Sequence, residues 1–259
     1  MNHPAAIEFR SVSKKYGDRV VLDRLNLAIP QGKITVFVGP SGGGKTTSLR
    51  MINRMVEPSS GQILVRGQDN RSLPVHLLRR SMGYVLQEAG LMPHQTVLDN
   101  IATLPRLKGV KKQEAREQAR ELLNLVGLEA SLADRYPAQL SGGQAQRVGV
   151  ARALAAESDI LLMDEPFSAV DPLVRADLQD NLLELQKKLQ LTVVMVTHDM
   201  EEALFLGDQL AVFSSGGSLA QVASPQQVLE NPATDFVAKF LGRDRRLGRL
   251  LAEGRGQQA

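Results

Sequence analysis

Gly39-Pro40-Ser41-Gly42-Gly43-Gly44-Lys45-Thr46-Thr47 sits between a short apolar run and a helical one, and its residue types suit it to holding phosphate. Glycines this dense let successive backbone N–H groups turn inward, forming a nest for anionic oxygens at a helix N-terminus. Lys45 can set its ammonium between the β- and γ-phosphates of a nucleoside triphosphate, and the Thr46 hydroxyl can ligate Mg2+. The bland alternative is a glycine-rich turn that carries a lysine, a match expected by chance in about one chain in a hundred of this length. Further along, Ile160-Leu-Leu-Met-Asp164-Glu165-Pro166 is an apolar strand ending in two carboxylates. After a phosphate loop, the first such acid, Asp164, is placed to hold Mg2+. Glu165, just past the strand end, is placed to polarise an attacking water. Alone, two acids at a strand end are as often solvated turn residues.

Leu140-Ser141-Gly142-Gly143-Gln144 opens another helix, continued by Arg147, Val150 and Ala151. A hydroxyl and two glycines at a helix N-terminus form a second anion site, although Ser-Gly-Gly is also a common cap. A single nucleotide meets both phosphate-binding devices only if the second comes from another copy of the chain, which hints at a dimer. His198 follows the apolar run Leu191–Val196 and precedes Asp199, so it emerges at the same edge as Asp164. An isolated His there is more often an ordinary hydrogen-bonding residue, but the shared edge favours a role beside the phosphates. His3, His76 and His94 lack such context and read as surface or packing residues.

The elements that position these groups follow from patterning. Ile34–Val38, Asp159–Met163 and Leu191–Val196 are apolar, partly β-branched runs of the kind buried on both faces, which predicts a mainly parallel α/β core. Thr46–Met55 reads as the helix after the phosphate loop. Between about 88 and 155 the texture turns helical. Lys111–Val126 places Ala115, Ala119, Leu122, Leu123 and Val126 on one face, and Leu178, Leu182, Leu185 and Leu189 form another stripe. Both stripes read as core contacts. Ser214–Gly217 predicts a tight hairpin. Beyond Leu241 the chain turns Gly/Arg/Gln-rich and reads as a frayed end.

The bulk numbers narrow the function classes. The 259 residues suffice for a full core, with 43% hydrophobic and 23% charged residues. Residues 243–259 hold five arginines and two acids, leaving 26 basic and 26 acidic groups elsewhere, so the net +3 lies in the tail. That is not the basic stripe of a nucleic-acid binder. With no cysteine, disulfides and thiolate metal sites are excluded. The N-terminus lacks signal-peptide features, and no apolar run approaches the roughly 20 residues that cross a bilayer. Any membrane link is expected to come through a partner.

Taken in order, these pieces resemble the ATP-binding subunits of ABC transporters over nearly the whole chain. Gly39–Thr46 looks like the Walker A loop, Leu140–Gln144 the signature, and Ile160–Asp164 Walker B with Glu165 as the catalytic carboxylate. Ser168-Ala-Val-Asp171 resembles the D-loop, with Val170 where Leu is commoner. His198 matches the switch histidine, and Gln87 the residue between Mg2+ and the permease contact. Tyr16, a packing residue on its own evidence, matches the aromatic that stacks on adenine. The resemblance implies a P-loop NTPase fold with an antiparallel β subdomain and an α-helical subdomain at roughly 88–155, in one ATPase domain over 1–242 followed by a tail, 243–259. It also implies ATP and Mg2+ as ligands, and two copies closing head to tail over two ATP molecules. Glu165, His198, Gln87 and Lys45 would serve hydrolysis, Lys45 and Ser141 by stabilising charge, and Thr46, Gln87 and Asp164 the metal. Closure would move permease subunits through the surface 87–100, at the cytoplasmic face of the cell membrane.

Met51–Pro58, Gly90–Thr96 and Asp235–Gly242 further resemble ATPases of quaternary-amine importers, which take up glycine betaine, carnitine or choline delivered by a solute-binding protein. Many relatives continue into a regulatory CBS pair, whose control is expected to be absent here. Another small-solute importer or an exporter ATPase stays open as an alternative. A soluble ATPase acting on ribosomes or DNA is disfavoured by the single cassette without coiled-coil insertions.

Overall fold

The structure, a computed structural model, describes residues 5–242. It opens with a long antiparallel hairpin, β1 (Ala5–Tyr16) and β2 (Arg19–Pro30), followed by the fully buried β3 (Ile34–Val38). The phosphate loop leads into α1 (Lys45–Ile52), then β4 (Ser60–Val65), β5 (Gln68–Asp69), α2 (Val75–Arg80) and β6 (Gly83–Val85). A helical stretch follows with α3 (Val97–Leu107), α4 (Lys112–Leu125) and α5 (Gly142–Leu154). The chain then alternates through β7 (Ile160–Asp164), α6 (Pro172–Leu189), β8 (Thr192–Thr197) and α7 (Met200–Leu206). It ends with the hairpin β9 (Gln209–Phe213) and β10 (Leu219–Ala223), then α8 (Pro225–Glu230) and α9 (Asp235–Gly242).

These strands form two sheets. The larger runs β10-β9-β3-β8-β7-β6, parallel except for β10 at its edge. The smaller, β2-β1-β4-β5, is antiparallel throughout. Side chains alternate across a strand, so each apolar run of the parallel sheet feeds two cores. Val36, Val193, Met195 and Met163 face the helices α3–α6. Phe37, Val194, Val196 and Leu162 face α1 and the antiparallel sheet. In that second core Phe37 touches Phe9 of β1, centroids 6.4 Å apart, and Phe213 of β9 at 5.3 Å. The helical stretch shares the first core: Leu98, Ile101, Ala119, Leu123 and Val148 join the same apolar cluster as the sheet.

Three expectations shift. The helix after the phosphate loop ends at Ile52, not Met55, because Arg54 takes a left-handed backbone (φ 56°) and the amides of Met55 and Val56 both return to the Arg50 carbonyl. The apolar strands at Asp159 and Leu191 each begin one residue later, and β7 includes Asp164 itself. On α6, Leu178, Leu182 and Leu185 are buried but Leu189 is 40% exposed. Gln186 is buried instead, its Nε2 donating to the carbonyls of Gly32 (2.8 Å) and Leu191 (3.1 Å) where the chain turns into β8. A helix end facing backbone needs a donor more than another leucine. Ala115, Ala119, Leu123 and Val126 are buried and Leu122 is half-buried. The Arg-rich segment 243–259 lies outside the described residues, as does His3; His76 and His94 are exposed.

Candidate nucleotide site

The C-terminal ends of β3, β7 and β8 converge on one edge of the parallel sheet, and the residues selected from the sequence leave the sheet there. The phosphate loop bridges β3 and α1. Gly39 has φ 147°, and a Cβ there would stand 2.2 Å from the Phe213 carbonyl oxygen, so only glycine lets the loop seat against the end of β9. Gly44 caps α1 with a left-handed backbone and no side-chain hydrogen bond, which leaves the first amides of the helix facing outward from the loop. Lys45 is buried, and its Nζ donates to the carbonyls of Gly39 (2.7 Å) and Pro40 (2.8 Å). Burial holds its ammonium below the ordinary lysine value, while Glu165 and Asp164 draw it back up.

Asp164 is buried at the tip of β7. Its Oδ1 accepts from the Thr46 hydroxyl at 2.9 Å. Its Oδ2 accepts from Arg50 Nη2 at 3.1 Å and from the Tyr84 hydroxyl at 3.4 Å. Burial pushes the Tyr84 phenol up, so it stays a neutral donor. The Thr46 hydroxyl and the Asp164 carboxylate are hard oxygen donors side by side, a set that fits Mg2+. Gln87, exposed in the turn after β6, leaves the same edge one strand over from Asp164.

Glu165 carries a left-handed backbone (φ 47°), a conformation that costs a non-glycine residue about 1–2 kcal/mol. Its amide donates to the Val196 carbonyl at 3.0 Å, and its carbonyl accepts from the Ser168 hydroxyl at 2.9 Å, so neighbours on both sides hold it. This turn aims the carboxylate at His198, with Glu165 Oε2 3.2 Å from His198 Nδ1. Tyr16 and Arg19, at the tip of the β1–β2 hairpin, line one cavity with Ser41, Gly42, Gly43, Gly44, Lys45, Thr46, Thr47 and Glu165. The Tyr16 ring is half-exposed, with Lys14 Nζ 4.7 Å from its centroid. The glycine-rich loop, Thr46, Glu165 and the half-exposed Tyr16 ring thus share one mouth, with Asp164 hydrogen-bonded to Thr46 and His198 to Glu165 at its edge.

The Ser141 turn is elsewhere. Ser141 caps α5, its hydroxyl accepting from the Gln144 amide (3.2 Å) while Gln144 Oε1 accepts from the Ser141 amide (3.0 Å). Ser141 and Gly142 are exposed, and Ser141–Gln144 do not line the phosphate-loop cavity. They pack instead on the start of α6: a Cβ at Gly142 would lie 3.8 Å from the Ala169 carbonyl oxygen, and one at Gly143 2.4 Å from Val174 Cγ1.

Sequence reading passed over Arg50, Tyr84 and Arg19. Arg50 was detectable, since it stands four residues after Thr46 and so on the same helical face. Tyr84 had no signal, because its reach to Asp164 depends on β6 pairing beside β7. Arg19 needed the hairpin to fold back over the phosphate loop.

The ABC transporter family matches residues 22–168. The chain is 48% identical over 246 residues to the osmoprotectant import ATP-binding protein OsmV of Salmonella typhimurium, covering 95% of this chain and 64% of OsmV. It is 49% identical over 246 residues to the glycine betaine uptake system ATP-binding protein YehX of Escherichia coli, covering 95% of this chain and 80% of YehX. It therefore spans less than two thirds of the length of OsmV. Among solved structures it is similar to the ATP-binding cassette MJ0796, a dimer in a post-hydrolysis state bound to ADP and Pi, with a TM-score of 0.76 and 32% identity over 85% of this chain and 98% of that one.

Proposed function

This chain belongs to the ABC transporter family, and from that premise we propose that it is the ATP-hydrolysing subunit of an importer for osmoprotectants such as glycine betaine, carnitine or choline. One observation carries the hydrolytic part: Lys45, Thr46, Asp164, Glu165 and His198 gather at one sheet edge, with Glu165 and His198 3.2 Å apart. The likeness to importer ATPases along nearly all of this chain supports the solute class.

In this reading the triphosphate lies in the loop Gly39–Thr47, with adenine on Tyr16. Lys45 exchanges its two carbonyl partners for β- and γ-phosphate oxygens. Thr46, Asp164 and Gln87 hold Mg2+, which when bound neutralises charge building on the phosphates. Glu165 accepts a proton from the attacking water. The water oxygen bonds to the γ-phosphorus as the bond to the β–γ bridging oxygen breaks, releasing ADP and phosphate. His198, fixed by Glu165, contacts the γ-phosphate. The open face of this site is completed by Ser141, Gly142, Gly143 and Gln144 of a second copy, because within one chain that turn packs on α6 away from the phosphate loop. Permease subunits dock on the surface around residues 87–100, so the chain works at the cytoplasmic face of the membrane through them. No helix among the described residues is long and apolar enough to cross a membrane. The test is to purify the chain with its permease subunits and measure which solutes, presented on the solute-binding protein, raise ATP turnover. Stimulation by quaternary amines is expected; stimulation only by an unrelated solute overturns the osmoprotectant assignment and leaves the ATPase assignment standing.

A further inference from the structure

Arg175, one turn into α6, stands between two segments that the hydrolytic reading treats separately. Its Nη2 donates to the Val170 carbonyl at 3.3 Å, and its Nη1 lies 3.8 Å from Asp199 Oδ2. Its Nε is buried without a protein acceptor. Val170 belongs to the segment 168–171, which lies against the Ser141 turn through Ala169 and, at the start of α6, Val174. Asp199 directly follows His198 and caps α7, its Oδ1 accepting from the amides of Glu201 (2.8 Å) and Glu202 (3.3 Å). A second strut from the same helix runs parallel: Gln179 Nε2 donates to the buried Glu202 Oε1 at 3.0 Å, while the Thr197 hydroxyl accepts from the Asp199 amide at 3.1 Å. Helix α6 thus holds both Asp199, directly after His198, and Glu202 in the helix that follows it.

We propose that Arg175 is a positioning residue for His198, fastening the segment beside the Ser141 turn to the strand end that aims the imidazole at Glu165. The contact is poorly suited to a purely stabilising role. A half-exposed ion pair at 3.8 Å adds little to folding. The guanidinium fork nonetheless bridges the Val170 carbonyl of the segment 168–171 and the Asp199 carboxylate. Its consequence rests on the two-copy reading above. The Ser141 turn then serves the other copy's nucleotide, so what it binds is relayed along α6 to this chain's own His198, and Arg175 couples the two sites.

The experiment uses the full chain with 13C-labelled histidine. Arg175→Gln is expected to move the His198 ring signal while leaving those of His76 and His94 in place. It should lower ATP turnover on the order of tenfold with KM for ATP unchanged, and Arg175→Lys should restore part of the rate. An unmoved His198 signal, or a rate loss that appears only as a raised KM or a lowered melting temperature, overturns the proposal. Should Arg175→Gln fail to fold, Asp199→Asn removes the same charge pair while keeping the capping oxygen, and the same readouts decide. If His198→Ala turns over at the wild-type rate while the ring signal still moves in Arg175→Gln, the hydrolytic role of His198 falls and the positioning role stands.

Discussion

At the scale of single residues, the site depends on groups held in arrangements that isolated peptides avoid. Glu165 takes a left-handed backbone against its steric preference, and the Val196 carbonyl and Ser168 hydroxyl keep it there. Strain of this kind persists where surrounding structure over-determines it. Replacing the Glu165 carboxylate by an amide leaves this geometry intact and removes only the proposed proton acceptor. Glu165→Gln is therefore expected to bind ATP normally, lose turnover by at least about a hundredfold, and accumulate an ATP-bound dimer seen by sedimentation. Turnover at the wild-type rate would remove Glu165 from the base role. His198→Ala should slow turnover on the order of tenfold or more at nearly unchanged ATP affinity, since its contact is made to a group whose charge shifts during reaction. A pure loss of affinity in a binding titration would contradict that role.

At the scale of elements, the starts of α5 and α7 are both held by side-chain caps, from Ser141 and Asp199. Ser141 and Gln144 cap α5 reciprocally, so Ser141→Ala is expected to cost about 1 kcal/mol in urea unfolding as well as activity. Ser141→Asp separates the two roles, because aspartate still caps the helix but sets a negative charge where phosphate must approach. It should unfold near wild type and yet lose at least about tenfold in turnover. On α7, burial holds the Glu202 carboxyl above the ordinary glutamate value of 4.5, against the hydrogen bonds from Thr197 and Gln179 that favour its charged form. The folded chain thus keeps this proton to higher pH than the unfolded chain. The stability it contributes is complete below pH 4.5 and is lost as pH rises through the raised folded value. Glu202→Gln should be more stable than wild type at neutral pH, with the difference shrinking toward pH 4.5 in paired unfolding curves. The two helix starts differ in how far the sequence revealed them. Ser-x-x-Gln at 141–144 is a cap readable from spacing alone. The burial of Glu202 was not readable, because one charged residue in Asp199-Met-Glu-Glu looks like another until α6 packs over it.

At the scale of the whole molecule, the Ser141 turn and the phosphate loop belong to different regions of the surface, so on the proposed two-copy reading a lone copy has an unfinished site. That arrangement makes a mixing test decisive. Lys45→Ala and Ser141→Asp copies should each be nearly inactive alone. In a mixed pair, the Lys45→Ala copy lends its intact Ser141 turn to the other's intact loop. With random pairing in a twofold assembly, the mixture should recover up to about a quarter of the wild-type rate. No recovery, with mixed dimers demonstrated, would contradict the shared-site reading.

The sequence by itself determined the local devices: a glycine-rich loop suited to cradling phosphate, an apolar strand running into Asp164 and Glu165, and a capped helix at Ser141. Each is set by short-range chemistry, in which backbone freedom, hydrophobic runs and capping distances of a few residues leave little choice. Only the tertiary structure decided which devices meet. Parallel strand order places Asp164, Glu165 and His198 at one edge and brings Tyr84 to Asp164. Packing of α6 keeps Ser141 away from Lys45 and puts Gln186, not Leu189, in the core. Those outcomes depend on how two sheets and their helices share buried apolar surface, a sum over contacts distant in sequence that no local pattern encodes.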